Sequence, residues 1–245
     1  MLNAVRAEFG KLLGLPSTWV AAGISVLGTT GIAVLNARGP YATPGFGFVT
    51  VPFGTIGVLV LGVLIITGEY AAGPADGGGG RQLATSLLCV PRRGVLLAAK
   101  AVVLVAVSAF LALVTVVAAV SVAEAAAGRP AFDALPDLGW RVAGAVLFWV
   151  FTALIAFAVG TLTRTAVVPL VLFIANSSLV SATYLLTKVT PLARYLPDVA
   201  GAQMFVDRYA AEDMLSPVAG GVTMAVWAAV LVLVAGFAFA RRDVA

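Results

Sequence analysis

The chain has 245 residues, of which 61% are hydrophobic and 11% charged, with a mean hydropathy of +1.07. Soluble domains carry about 25% charged and about 45–50% apolar residues. This chain therefore lacks the polar groups to cover a folded surface in water, which excludes a soluble enzyme, a nucleic-acid-binding domain and a disordered chain. Its net charge of +4 comes from fifteen basic residues scattered between apolar runs, a pattern that fits an integral membrane protein in contact with lipid and with no nucleic-acid partner.

Three lysines against twelve arginines, in an Ala-, Gly- and Val-rich background, point to a GC-rich bacterial gene and hence to a bacterial cytoplasmic membrane. The absence of histidine excludes a His-based triad and an HExxH metalloprotease. With Cys89 as the one cysteine, there is neither an intramolecular disulfide nor a cysteine metal cluster, and Cys89 reads as a small buried apolar residue. No metal site is expected.

Residues 2–15 have helical periodicity. Val5, Phe9, Leu12 and Leu13 fall on one face, with Arg6 and Lys11 among the other positions. This predicts an N-terminal helix lying in the membrane interface, or a plain basic anchor that sets topology, broken by Pro16.

A helix needs about 20 apolar residues to cross a hydrocarbon core roughly 30 Å thick. Six stretches qualify: 18–35, 48–67, 101–122, 142–162, 167–186 and 218–240. The expected fold is thus an all-α integral membrane protein with one transmembrane domain over 1–245. The first run is too long for a signal-peptide core and reads as a retained span. Nine basic residues fall in the segments on the side of the termini and six in the opposite loops, so both termini are expected in the cytoplasm. Gly54, Gly57 and Gly62 in the second span predict close helix contact.

Between the second and third spans come Gly68-Glu69-Tyr70, a Pro/Gly-rich piece with Gly77 to Gly80, and then 81–93. Leu83, Leu87 and Leu88 share a helical face there, predicting a short amphipathic helix parallel to the bilayer, or else an ordinary basic loop. In the fifth span Asn176 and Thr183 are seven apart, and Ser177 and Ser181 four apart; in the first, Ser25 and Thr29 are four apart. These are candidates for a weakly polar pathway lining, with interhelical hydrogen bonding as the competing role. A short outer helix within 196–209 is a further expectation, against an ordinary loop.

None of the six ranges holds an Asp, Glu, His or Lys, so ion-coupled transport by this chain alone is not expected. The only Gly-Lys pair, Gly10-Lys11, is followed by Leu12 and has Val5 where a Walker A loop requires its first glycine. No G-x-S-x-G and no paired intramembrane aspartates occur. The chain is therefore expected to be no enzyme, with no catalytic residues; if it pumps, a partner supplies the energy.

The ordered motifs resemble the permease subunits of type 2 ABC exporters along essentially the whole chain. They are Arg6-x-Glu8-x-x-Lys11, Gly68-Glu69-Tyr70, Thr85-Ser86-Leu87 leading to Val90-Pro91-Arg92-Arg93 and Lys100, Gly160 to Arg164, Arg194-Tyr195-Leu196-Pro197, and Arg241-Arg242-Asp243. The resemblance implies a drug or polysaccharide exporter working by alternating access. It further implies a second permease copy or paralogue, and a separate ABC ATPase subunit that binds ATP and magnesium, so that this chain carries no cofactor. It makes Glu69, Arg81, Leu87, Arg92 and Arg93 the residues that couple to the ATPase. Two departures stand out: Ala71 follows Tyr70 where the family often has arginine, and 74–80 inserts a Gly-rich piece into the lever. The competing functions are a non-transporting scaffold or immunity protein and an energy-independent channel or carrier.

Overall fold

A computed structural model of the chain describes residues 1–39, 43–70, 86, 88, 92–129, 137–177, 182–206 and 214–241. Arg81, Leu83, Thr85, Leu87, Cys89, Val90, Pro91, the glycines 77–80, Ser181, Arg242 and Asp243 lie outside the described residues, as does the side chain of Ser177. The expected amphipathic helix over 81–88 therefore falls outside them too, apart from Ser86 and Leu88.

Among the described residues every regular element is helical. Helix α1 spans Leu2–Gly14. Leu15 is extended, and Pro16 opens α2, Pro16–Asn36, where its fixed φ suits a first helical position and its missing N–H costs nothing. Thr18 Oγ1 donates to Leu12 O at 2.6 Å and Trp19 Nε1 to Leu13 O at 2.9 Å. Carbonyls in the last turn of α1 thus accept side-chain donors from α2, which ties the two helices together. A single π turn, Ile24–Gly28, interrupts α2.

Helix α3, Phe46–Thr67, ends in a 3-10 turn, Gly68–Tyr70. Next come α4, Arg93–Ala126, and α5, Leu138–Thr163. The last long helix of the bundle, named α9 below, is Pro217–Arg241. These five helices are long and apolar enough to cross a membrane, as in a multi-pass membrane protein. They contain five of the six expected ranges and overrun each.

Lys100 and Glu124, which flank the expected range 101–122, both lie inside α4. They are separated by about 36 Å along its axis, slightly more than a hydrocarbon core.

Helix α3 is the hub, packed against α2, α4 and α5, with Phe48, Val51, Val58, Leu61 and Ile66 sealed in the core. The glycine expectation holds. A Cβ on Gly57 would sit 2.0 Å from Ser25 Oγ and 2.3 Å from Ala21 O, one on Gly54 2.3 Å from Thr29 Oγ1, and one on Gly62 2.5 Å from Ala153 O. Backbones approach at these points because no side chain intervenes.

Of the sixth expected range, 167–186, residues 178–181 lie outside the described ones. It holds α6, Val167–Ser177, and α7, Ala182–Leu186. Asn176 Oδ1 accepts the backbone N–H of Thr183 at 3.3 Å, whereas one straight helix would separate these residues by about 10 Å along its axis. Beyond α7 come a 3-10 turn, Pro191–Tyr195, and α8, Pro197–Ala202, which supplies the short helix expected within 196–209.

Two contacts orient the bundle. Gly201 of α8 is wedged between Phe148 of α5 and Met224 of α9, while Phe157 and Phe239 line one groove further along, so α5 and α9 run in the same direction. Gly236 lies beside Leu97, and Glu8 meets Lys100. Helix α1 and the end of α9 therefore share one end of the bundle.

Candidate functional site

The residues that meet at that end come from four segments. Lys100, sealed on α4, donates from Nζ to Glu8 Oε2 at 2.6 Å and to Glu69 Oε1 at 2.8 Å. Lys11 donates to Glu8 Oε1 at 2.9 Å, to Ser86 Oγ at 3.0 Å and to Glu69 Oε1 at 3.3 Å. Ser86 Oγ in turn donates to Glu69 Oε2 at 2.8 Å. Two carboxylates thus face two ammonium groups, and the cluster carries no net charge.

That balance is what allows it to be buried. An unpaired charge in such a place would cost several kcal/mol, and mutual attraction with full hydrogen bonding offsets this only in good geometry. Lys11 is the one member open to solvent, with 43% of its side chain exposed. Burial disfavours its ammonium form, but the hydrogen bond to Glu8 and the charges of Glu69 and Glu8 outweigh this and hold its pKa above the usual lysine value. A cavity of about 320 Å³ borders the cluster between α1 and the lower end of α3.

Of the coupling residues expected here, Glu69 is buried at the centre of the network. Arg92 caps α4 and Arg93 begins it, two turns before Lys100. Arg81 and Leu87 lie outside the described residues. Close by, Arg164 sits over the ring of Tyr70 at 5.7 Å, which joins the turn after α5 to the turn after α3. The motif pieces at Glu8, Lys11, Glu69, Tyr70, Ser86, Lys100 and Arg164, distant in sequence, thus gather at one end of the molecule.

Helix α1 turns Ala4, Glu8 and Leu12 into the bundle and leaves Phe9 and Leu13 substantially exposed and Arg6 exposed. The bundle holds α1 through the ion pair at Glu8. Neither Glu8 nor Lys100 stood among the sequence's candidate site residues. The i, i+3 spacing of Glu8 and Lys11 was a local signal; the partnership with Lys100 had none.

The pathway candidates separate into two groups. Ser25 and Thr29 are fully buried between α2 and α3, and Ser25 Oγ donates to Gly54 O at 2.8 Å, an interhelical bond. Asn176 and Thr183 come together instead. Both donate to Asp198 Oδ2, Asn176 through Nδ2 at 3.0 Å and Thr183 through Oγ1, while Thr183 Oγ1 also lies 3.3 Å from Asn176 Oδ1. All three residues line a cavity of about 270 Å³ between α3, α5, α6, α8 and α9. The sequence reading did not single out Asp198, which lies in the first turn of α8.

At the far end of the bundle Glu124 makes a second polar junction. Its carboxylate accepts the N–H of Gly45 at 2.8 Å and Arg129 Nε at 2.7 Å, and Arg38 Nε donates to Ala126 O at 2.9 Å. Among the described residues no group of histidine, cysteine and acidic side chains suited to a metal ion occurs. Models of known protein families give no match to the chain, and neither do curated protein sequences.

Proposed function

We propose that the chain is the membrane-spanning permease subunit of an ATP-driven exporter of the type 2 ABC class. In this reading six crossings, the fifth within 167–186, put both termini on one side of the membrane, and the excess of basic residues on that side makes it the cytoplasm. The charged cluster of Glu8, Lys11, Glu69, Ser86 and Lys100 carries this reading. It grips α1, the end of α3 and the start of α4, so it ties both ends of the 71–92 connection to the N-terminal helix. A push delivered to that connection by a partner would move three elements together, as rigid-body rocking requires. The exposed apolar side chains Leu2, Phe9 and Leu13 of α1 and Trp19 of α2 suit an interfacial position.

A separate ATPase subunit would dock at this end and supply the energy. A second copy or paralogue would complete the pathway, and this chain would contribute no catalytic group. The test is co-purification of tagged protein from its native membrane with mass spectrometry and an ATPase assay. Recovery of a P-loop ATPase whose turnover depends on this chain, and falls when Glu69 is replaced by alanine, supports the proposal. Recovery of the chain alone transfers the weight to a non-transporting scaffold or an energy-independent channel.

A further inference from the structure

The start of α4 and the end of α9 enclose a groove with an apolar wall and a basic mouth. Its volume is about 770 Å³, and every residue lining it is glycine, alanine, valine, leucine or phenylalanine. On α4 the wall runs from Gly94 to Ala101 and on α9 from Val232 to Ala240, while α5 adds Phe157. At about 1.5 Å per residue these stretches are roughly 10 and 12 Å long. That is most of the depth of one leaflet, half of a hydrocarbon core roughly 30 Å thick. Leu233 and Phe237 on the α9 side are exposed, so the groove opens sideways toward the bilayer.

Cations stand at the end of the groove where α4 begins and α9 stops. Arg241 follows Ala240, and its guanidinium lies 4.0 Å from the ring centroid of Phe237, a residue of the wall. Arg92 stands two residues before Gly94, and both arginines are exposed. Among the described residues no carboxylate pairs with either. A ring engages the face of a guanidinium and leaves the N–H donors at its edge for an anion.

We propose that this groove binds an anionic phospholipid, with acyl chain along α4 and α9 and phosphate on Arg241, and with Arg92 as a second cation. Apolar walls alone accept any lipid tail. The arginines add the preference for a negatively charged headgroup, as basic pockets between membrane helices do. They also argue against a second copy of the chain as the occupant. Two copies meeting here by a two-fold axis, in the same orientation in the membrane, would set these arginines against their own counterparts. The inference rests on the chain's crossing a membrane and is independent of the exporter reading.

The test titrates the purified full-length chain, in a neutral detergent, with dioleoylphosphatidylglycerol or dioleoylphosphatidylcholine, and native mass spectrometry counts the lipids retained. The expected result is saturable binding of phosphatidylglycerol, on the order of 20-fold tighter than that of phosphatidylcholine. Arg92→Gln and Arg241→Gln each weaken phosphatidylglycerol about fivefold, and together they bring it to the level of phosphatidylcholine. Gly236→Leu, which adds bulk beside Leu97 in the groove, weakens both lipids with both arginines in place. Arg38→Gln, which removes a charge at the opposite end of the bundle, leaves binding unchanged. The wild-type preference needs no variant, so it decides even where a substitution prevents folding. Equal binding of the two lipids overturns the proposal, and so does a preference that survives loss of both arginines or falls as far in Arg38→Gln. A dimer that Gly236→Leu dissociates, with phosphatidylglycerol binding intact, overturns it in favour of a second copy.

Discussion

Lys100 reaches Glu8 at 2.6 Å across 92 residues of chain, and both side chains are sealed from solvent. This pair fixes the N-terminal helix to the third long helix, and Glu69 shares the same ammonium. Removing Lys100 leaves two buried carboxylates with only the half-exposed Lys11 between them. Lys100→Met is therefore expected to lose about 3–5 kcal/mol of stability. The double change Lys100→Met with Glu69→Gln should recover part of that loss, because it deletes one orphaned charge together with its partner. Thermal unfolding in detergent, followed by tryptophan fluorescence, measures both. A single variant that melts like the wild type would show that the cluster contributes nothing to stability.

Close packing of α2 on α3 gives a second prediction. A methyl group at Gly57 would collide with Ser25 Oγ and with the carbonyl of Ala21, which is backbone and cannot rotate away. Gly57→Ala should cost roughly 1–3 kcal/mol through overpacking. The control is Gly68→Ala, on the same helix line but with nothing within 4 Å of the added atom. Equal melting of the two variants would contradict the close approach.

These two sites show what the sequence made legible. Long apolar runs bounded by Pro, Gly and charge located five helices, since their length is set by bilayer thickness and is a local property. Gly54, Gly57 and Gly62 were readable for the same reason: small residues at helical spacing have one common use. The partnership of Glu8 with Lys100 was not readable, because it depends on how the ends of three helices converge. That Glu8 rather than Phe9 faces the bundle was likewise not readable, since the two are neighbours in sequence and the packed partner Lys100 decides between them. The range 167–186 reads as one span because it holds no charged residue and its polar ones are small, and nothing in hydropathy reports that Asn176 accepts the N–H of Thr183.

Arg164 closes α5 in a left-handed conformation, with φ of 56°, and its N–H donates to Gly160 O at 3.0 Å. Only glycine takes this backbone without strain. Arg164→Ala keeps the strain and loses the guanidinium over Tyr70, while Arg164→Gly loses the guanidinium but relieves the strain. The glycine variant should thus be more stable than the alanine variant by about 1 kcal/mol. Melting temperatures in the reverse order would refute the argument.

At the opposite end, Glu124 both pairs with Arg129 and accepts the N–H of Gly45, which precedes the first turn of α3. These roles separate chemically. Glu124→Gln keeps an oxygen for Gly45 but removes the charge facing Arg129; Glu124→Ala removes both and leaves a buried N–H unsatisfied. Stability should fall in the order wild type, glutamine, alanine, and the unsatisfied donor alone costs about 1–3 kcal/mol. Hydrogen exchange tests the assignment more directly than melting does. The amide of Gly45 should stay protected in Glu124→Gln and exchange faster in Glu124→Ala, whereas amides in the middle of α3 should respond to neither change. Protection at Gly45 that survives in the alanine variant would mean that another group accepts this N–H and that Glu124 serves Arg129 alone.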